Sequence, residues 1–123
     1  SYFNIGDISQ IEVQNLPSSC YDSLQGKHTD VPSTRKIEQG VDCIYTLEED
    51  KTFLVDKAFN RHIQITHHHA DSIVLWNPWE KTPSAMKADG YRNMVCIETA
   101  RLEKLLQFGE SISAEISTLP ADI

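Results

Sequence analysis

Apolar and polar residues alternate in short runs along most of this chain, and turn-forming residues separate the runs. In residues 41–47, the alternation places Val41 and Cys43 on one face and Asp42 and Ile44 on the other. A period of two is typical of half-buried strands. The pattern predicts strands over residues 8–16, 20–24, 41–47, 52–55, 61–66, 72–76, 91–98 and 110–117. Short strands at such intervals predict an all-β fold, an antiparallel β-sandwich formed by residues 1–123 as a single domain.

Three stretches between these strands have less regular patterns. Residues 25–34 are polar and contain Gly26 and Pro32, which predicts a loop. Residues 77–89 form the longest irregular stretch, and long ordered loops are often functional. In residues 99–108 three leucines have helical spacing. A helix, and a loop that leads into a strand, are therefore both open for this last stretch.

His67, His68 and His69 stand in the connection predicted after the strand at 61–66. In an extended segment His67 and His69 would share one face, as two metal ligands can. Structural zinc sites use four protein ligands and catalytic zinc sites three, and no further ligand stands at a suitable spacing. The favoured interpretation is a solvent-exposed turn, and no metal site is predicted.

Two apolar runs flank the long irregular stretch and predict buried strands. Residues 72–76 form the first run, which Asn77-Pro78 stops sharply. Residues 94–97 form the second, which ends on Glu98. A carboxylate at the end of a buried strand is partly desolvated, and desolvation raises its pKa towards the range that a general base needs near neutral pH. The alternative is that Glu98 is simply the first solvent-exposed residue after the strand.

Composition narrows the range of partners. The net charge of −7 argues against a nucleic-acid partner and an anionic membrane surface, because both prefer a basic face. No apolar run approaches the length of a transmembrane helix. Of the three cysteines, Cys43 and Cys96 stand in apolar strands, where a free thiol behaves as a small buried hydrophobe. Reduced thiols predict a cytoplasmic protein.

Several motifs occur in a recognisable order: Tyr2–Ile8, Gly40–Tyr45, Asn60–Ile63, Trp76–Trp79, then Tyr91 and Met94–Glu98. Together they resemble the hexose-6-phosphate epimerases of the aldose 1-epimerase (galactose mutarotase-like) superfamily. The resemblance extends over nearly the whole chain and implies the β-sandwich that the alternation also predicts. It further implies that the chain corresponds to only the C-terminal part of a longer family member.

The resemblance also implies a reaction. Aldose 1-epimerases open a sugar ring at the anomeric carbon and close it again with either orientation of the hydroxyl group, for which they need one base and one acid but no cofactor. By resemblance Glu98 is the base, Asp42 binds sugar hydroxyls, and Trp76 and Asn77 form part of the pocket. Trp79 is a second candidate for stacking on the sugar. The expected ligand is a hexose or a hexose 6-phosphate.

For Asp42 the resemblance competes with an exposed strand position, and the two interpretations are evenly balanced. Core packing is the expected role of at least one of the two tryptophans. An acidic protein can still bind phosphate through a local basic cluster, although surface charge is the default interpretation of each candidate. Those candidates are Arg35, Lys36, Arg61 and Arg92.

In the family a histidine directly before the Tyr-Phe stretch is taken as the acid, whereas this chain begins at Ser1. The expectation is therefore a fragment with little or no activity of its own. A non-catalytic carbohydrate-binding β-sandwich is the main alternative. A third possibility is a module that self-associates through open sheet edges, since part of a larger sandwich would leave such edges exposed.

Overall fold

The computed structural model describes residues 1–119 as ten strands and two short 3-10 helices. The helices are Ile8–Gln10 and Gly90–Asn93. The strands are β1 (Tyr2–Asn4), β2 (Ile11–Gln14), β3 (Ser19–Asp22), β4 (Lys27–Asp30), β5 (Val41–Thr46), β6 (Lys51–Asp56), β7 (Arg61–His68), β8 (Ser72–Asn77), β9 (Met94–Ala100) and β10 (Ser113–Leu119). The predicted all-β fold is confirmed.

The strands form two antiparallel sheets that pack face to face. The first sheet has six strands in the order β1-β9-β8-β5-β3-β4, and the second has four in the order β10-β7-β6-β2. Alternate residues of each strand point between the sheets and form one core. Its fully buried members include Tyr45, Leu54, Ile65, Leu75 and Ile97. The alternation predicted for β5 is confirmed, because Val41 and Cys43 are buried in this core, whereas Asp42 and Ile44 are only half-buried.

Arg35 closes the sandwich at the β2 side. Its backbone bridges to Val13 of β2, and its guanidinium donates to the Tyr45 hydroxyl at 3.0 Å and to the Cys43 sulfur at 3.4 Å. Burial raises the pKa of Tyr45 to about 12, although the neighbouring Arg35 acts in the opposite direction. Cys20, Cys43 and Cys96 are all free and buried.

The prediction for the histidine triplet is wrong for His67 and His68, because β7 continues through His68, whereas the exposed His69 lies in the bend that follows. The His67 ring is buried between the sheets, where its two nitrogens lie 2.9 Å from the Thr52 hydroxyl and 2.8 Å from the Thr99 hydroxyl. Thr52 belongs to β6 and Thr99 to β9, so this imidazole joins the two sheets. Among residues 1–119, no group of three or more His, Cys, Asp or Glu side chains is arranged to hold a metal ion.

The loop predicted over 25–34 is also wrong in part, because residues 27–30 form β4, which pairs with β3. The hairpin turns at Gly26, whose φ is +69°, and the Asp22 carboxylate accepts bonds from the backbone of Leu24 and Gln25. β4 is almost wholly exposed and polar, so it shows no apolar alternation. Its pairing depends on the turn rather than on burial.

Two of the predicted strands begin later than expected because 3-10 helices occupy their first residues. Residues 8–10 are a 3-10 helix because the Asp7 side chain caps the Ser9 backbone N–H. A second 3-10 helix occupies 90–93, so that β9 begins at Met94.

Within the described part of the chain, no helix is long and apolar enough to cross a membrane.

Residues 101–112 form an irregular connection between β9 and β10, which settles the alternatives left open for residues 99–108 against a helix. The Asp71 carboxylate accepts hydrogen bonds from the backbone N–H groups of Leu102, Glu103 and Lys104. Arg101 donates to the Glu110 carboxylate at 3.0 Å. These bonds order the connection and leave its apolar side chains exposed.

Candidate active site

Three of the four predicted site residues lie on the outer face of the six-stranded sheet. The register places Asp42 of β5 directly opposite Trp76 of β8, Trp76 opposite Cys96 of β9, and Cys96 opposite Tyr2 of β1. Directly paired side chains lie on the same face with Cβ atoms about 4.5–5.5 Å apart. These four residues therefore form one row across the sheet, on the face that points away from the core.

Glu98 lies in the neighbouring row of the same face, opposite Val74, which in turn lies opposite Ile44. Two strand spacings, about 10 Å, and two residues along the strand, about 7 Å, separate the Cα atoms of Glu98 and Asp42. The Glu98 side chain is 51% exposed, and one of its oxygens lies 2.8 Å from the Ser1 amino group. The predicted base is thus accessible on the same face as the predicted sugar-binding residues.

Cys96 belongs to the first row and precedes Glu98 by two residues on β9, so both side chains lie on the outer face. Burial raises the pKa of Cys96, and the neighbouring Glu98 carboxylate acts in the same direction. The thiol therefore stays protonated near neutral pH and is a poor nucleophile. Beside Glu98, it acts as a neutral, weakly polar surface rather than as a reacting group.

A cleft of about 570 Å³ opens beside the row. Asp42, Trp76 and Asn77 line it, whereas Glu98 does not. Its remaining lining residues are Asp22, Leu24, Gln25, Gln39, Gly40, Val41, Pro78, Trp79, Glu80 and Lys81. The charged lining therefore consists of three carboxylates and one ammonium group. Such a surface suits the neutral hydroxyl groups of a sugar better than an anion.

Asn77 is buried, and its side chain is engaged within the fold. Its amide nitrogen donates to the backbone oxygens of Tyr91 and Met94, both at 2.9 Å, and its oxygen accepts from the Trp79 N–H at 2.7 Å. Both amide hydrogens are therefore used, and no donor is left for a sugar hydroxyl. The side chain instead fixes the start of the loop after β8.

Asn77 helps to stabilise the unusual backbone conformation of Trp79. Its φ is +57°, a left-handed conformation that is unusual for a bulky residue. The Asn77 bond to the backbone two residues further on closes a local turn. The indole packs on the Tyr91 ring with the centroids 4.9 Å apart, and it lines the cleft. Strained residues of this kind concentrate at functional sites.

The sequence prediction missed Tyr2 as part of this face. Its side chain is 53% exposed and lies beside Cys96, while that of the next residue, Phe3, is buried in the core. The alternation of the Tyr-Phe pair was a usable signal, because adjacent strand residues point to opposite faces. The short length of β1 made that signal weak.

Comparison with known proteins identifies the family of this chain. The family model for aldose 1-epimerase matches residues 1–118. The chain belongs to the aldose 1-epimerase family. A Haemophilus influenzae member named "Putative glucose-6-phosphate 1-epimerase" is 54% identical over 117 residues, which are 95% of this chain and 43% of that protein. An Escherichia coli member of the same name is 31% identical over 81% of this chain and 36% of its own length.

Solved structures of related proteins have the same fold. The crystal structure of HI1317 superimposes with a TM-score of 0.94 at 53% identity, over 96% of this chain and 44% of that one. A structure from Salmonella typhimurium, titled as a "putative mutarotase (YeaD)", gives a TM-score of 0.78 at 30% identity, over 84% and 37%. This epimerase-family chain thus spans less than half the length of these relatives.

Proposed function

We propose that this chain supplies the base and a sugar-binding face of an aldose 1-epimerase that interconverts the α and β anomers of a hexose 6-phosphate. The observation that carries the proposal is that Glu98, Trp76 and Asp42 lie on one accessible sheet face. Glu98 takes the proton from the anomeric hydroxyl as the ring opens, while an acid protonates the ring oxygen. On closure the ring-forming hydroxyl gives up that proton and adds to either face of the carbonyl carbon, and Glu98 returns its proton to the carbonyl oxygen. Asp42 accepts hydrogen bonds from ring hydroxyls, and Trp76 offers an apolar surface to the sugar.

The sheet register indicates where the complementary acid would lie. β1 and β9 pair antiparallel with Tyr2 opposite Cys96, so a residue directly before Ser1 would stand opposite Glu98 on the same face. An acid at that position would have its Cβ about 5 Å from that of the base. In the family resemblance this position holds a histidine. We therefore propose that residues outside the 123 supply the acid, and that the chain alone has little or no activity.

The name of the Haemophilus influenzae relative supports glucose 6-phosphate as the first substrate to test. The experiment replaces the matching part of that relative with this chain and follows anomer exchange of glucose 6-phosphate by NMR. We expect the chimera to accelerate exchange above the spontaneous rate. We expect Glu98→Gln to lower kcat about 100-fold or more, because general base catalysis contributes about 10²–10⁴-fold.

Glu12→Gln is the matched control, since Glu12 lies on the other sheet and is half-buried like many strand carboxylates. The control chimera should retain the exchange rate of the unsubstituted chimera. A chimera that folds without accelerating exchange, or one in which Glu98→Gln and Glu12→Gln behave alike, contradicts the proposal. Exchange by the 123-residue chain alone at the rate of the chimera contradicts only the proposed external acid.

One observation favours a second candidate, a non-catalytic carbohydrate-binding module. Asp42 and Trp76 line the cleft without Glu98, so sugar binding and catalysis use separable groups. If this candidate is right, Asp42→Asn will abolish glucose binding by the chimera, and no variant will change the exchange rate.

The free, buried thiols are compatible with a cytoplasmic location in either case.

A further inference from the structure

Tyr2 carries an unused hydrogen-bond donor on the outer face of the six-stranded sheet. It ends the row that begins at Asp42, and its side chain is 53% exposed. Among the described residues, no hydrogen bond involves the Tyr2 hydroxyl, whereas the buried Tyr45 hydroxyl accepts one from Arg35. A phenolic hydroxyl group can donate one hydrogen bond as well as accept. This donor is therefore available to a ligand that lies on the face of Glu98.

The backbone pairing of β1 with β9 brings Tyr2 close to Glu98. Ser1 and Ile97 exchange both of their backbone hydrogen bonds, which are 2.8 Å and 3.0 Å long. The next pair, Tyr2 with Cys96, therefore lacks such bonds, and side chains approach most closely in pairs of that kind. Glu98 is the diagonal neighbour of Tyr2, at a distance of about 7–8 Å that an aromatic side chain can span.

The hydroxyl groups on the other side of Glu98 are already engaged. Ser72 and Thr46 pair with each other in the row that lies two residues further along the strands. Each donates its hydroxyl to a carboxylate, Ser72 to Asp71 at 2.8 Å and Thr46 to Glu103. Those two side chains hold neighbouring segments of the fold in place. The hydroxyl of Tyr2 is therefore the one beside Glu98 that a bound sugar can use.

The proposed reaction places negative charge on an oxygen atom beside Glu98. As Glu98 takes the proton of the anomeric hydroxyl, the oxygen of that group gains negative charge. Its electron pair then forms the carbonyl bond while the bond from the anomeric carbon to the ring oxygen breaks, and the acid protonates the ring oxygen. A hydrogen-bond donor directed at the anomeric oxygen stabilises this transition state more than the ground state.

We propose that Tyr2 is a second catalytic residue of this face, whose phenolic hydroxyl donates a hydrogen bond to the anomeric oxygen while Glu98 removes the proton. This inference rests on the proposed function. The Tyr2 proton stays on the phenol throughout, so the role is distinct from that of the acid, which acts on the ring oxygen. On ring closure the same hydrogen bond polarises the carbonyl group for attack by the ring-forming hydroxyl.

The test measures anomer exchange of glucose 6-phosphate by NMR in the chimera described above. Tyr2→Phe keeps the aromatic ring and removes only the donor. It should lower kcat about 10- to 100-fold, somewhat less than the roughly 10²–10³-fold typical of an enclosed oxyanion hole, because Tyr2 is half exposed. KM should change less than about twofold, because the lost hydrogen bond strengthens mainly in the transition state. The unfolding temperature should stay the same.

Tyr21→Phe is the matched control. Tyr21 also lies on the outer face, in the row of Glu98, but three strands away from it on β3. Its substitution should leave both kcat and KM unchanged. The inference is overturned if the two variants have the same kcat, or if Tyr2→Phe raises KM at unchanged kcat, which indicates binding without catalysis.

The Glu98→Gln chimera separates this inference from the proposed function. If Glu98→Gln loses activity while Tyr2→Phe behaves like the control, the proposed function stands and only the role of Tyr2 is wrong. If the unsubstituted chimera is inactive, or if Glu98→Gln leaves its kcat unchanged, the proposed function is contradicted and the role of Tyr2 is contradicted with it.

Discussion

Asn77 shows how a motif residue can act on a site without touching the ligand. One buried amide satisfies two backbone oxygens and one backbone N–H, and through them it fixes the left-handed turn that presents Trp79 to the cleft. The sequence motif and the structure therefore agree that this residue matters. The motif suggested that Asn77 binds the sugar, whereas in the structure its amide holds the wall of the cleft in place.

We expect Asn77→Ala to lower the free energy of unfolding by about 2–4 kcal/mol, since each buried polar group that loses its partner costs about 1–3 kcal/mol. Denaturant unfolding measures this change. Gln39→Ala is the control, because Gln39 also lines the cleft but is exposed. It should change the free energy by less than about 0.5 kcal/mol. An Asn77 variant as stable as the control would contradict the positioning role.

His67 makes the stability of the fold depend on pH. Burial lowers its pKa below the ordinary value of 6.5, although the charge of Asp50 acts in the opposite direction. Below 6.5 the unfolded chain binds a proton that the folded chain does not, so the free energy of unfolding falls as the pH drops through this range. We expect His67→Gln to reduce that fall, measured by denaturant unfolding above and below pH 6.5.

The exposed His28 provides the comparison for this experiment. His28→Gln should leave the pH dependence as it is in the unsubstituted chain. If both variants have the same pH dependence, the buried imidazole is not its source.

Among the elements, the connection from β9 to β10 depends on one carboxylate. Partial desolvation raises the pKa of Asp71, but the backbone N–H groups of Lys104 and Leu102 outweigh it and hold the pKa at about 2. The stabilisation that Asp71 provides is therefore present above the ordinary carboxyl value of 3.8 and is lost as the pH falls towards 2.

We expect Asp71→Ala to speed hydrogen exchange at the amides of residues 102 and 104 by about tenfold or more, because hydrogen bonds to a charged group contribute about 1.5–3 kcal/mol. Mass spectrometry or NMR can follow these amides. Asp30→Ala, in exposed β4, should leave them unchanged. Unchanged exchange in the Asp71 variant would show that the connection is held by other contacts.

Elements with one buried face were predictable from the sequence, and elements without one were not. Alternation located β5 and β7 and separated the face of β5 that carries Val41 and Cys43 from the opposite face, and an apolar run located β8. β4 was not predicted because its residues are polar and mostly exposed. The burial of His67 was not predicted either, because its partner Thr99 is distant in sequence. No local sequence pattern indicates an imidazole that is buried between two hydroxyl groups.

Motif resemblance supplied the members of the candidate site, and only the structure supplies their arrangement. Glu98, Asp42 and Trp76 came from motif resemblance, and the observed register brings them to one face. The engagement of Asn77 and the φ of Trp79 depend on contacts with residues 91–94, which only the folded loop creates.

At the scale of the whole molecule, the charge on the cleft bears on the proposed substrate. Asp22, Asp42 and Glu80 oppose Lys81 there, while two of the arginines considered for phosphate binding are used elsewhere. Arg35 bonds to Tyr45, and Arg61 lies 2.8 Å from the Asp56 carboxylate. A phosphate group on the substrate would therefore be held by residues outside this cleft.

We expect the 123-residue chain to bind glucose at least as tightly as glucose 6-phosphate, because the cleft carboxylates repel the phosphate. NMR titration at low and high salt measures the difference, which should shrink with salt as screening increases. Glu80→Gln should improve glucose 6-phosphate binding, and Glu12→Gln on the other sheet should not. Tighter binding of the phosphorylated sugar at low salt would contradict this account of the cleft.

The pairing of β1 with β9 also determines which residues before Tyr2 can face Glu98. Every second residue of an extended strand reaches the outer face, so only positions at an even distance from Tyr2 can meet Glu98 across the pair. Inserting or deleting one residue just before Tyr2 would turn any partner of Glu98 into the core. The number of residues between Tyr2 and a partner of Glu98 is therefore more tightly constrained than the identity of Ser1, which lies between them.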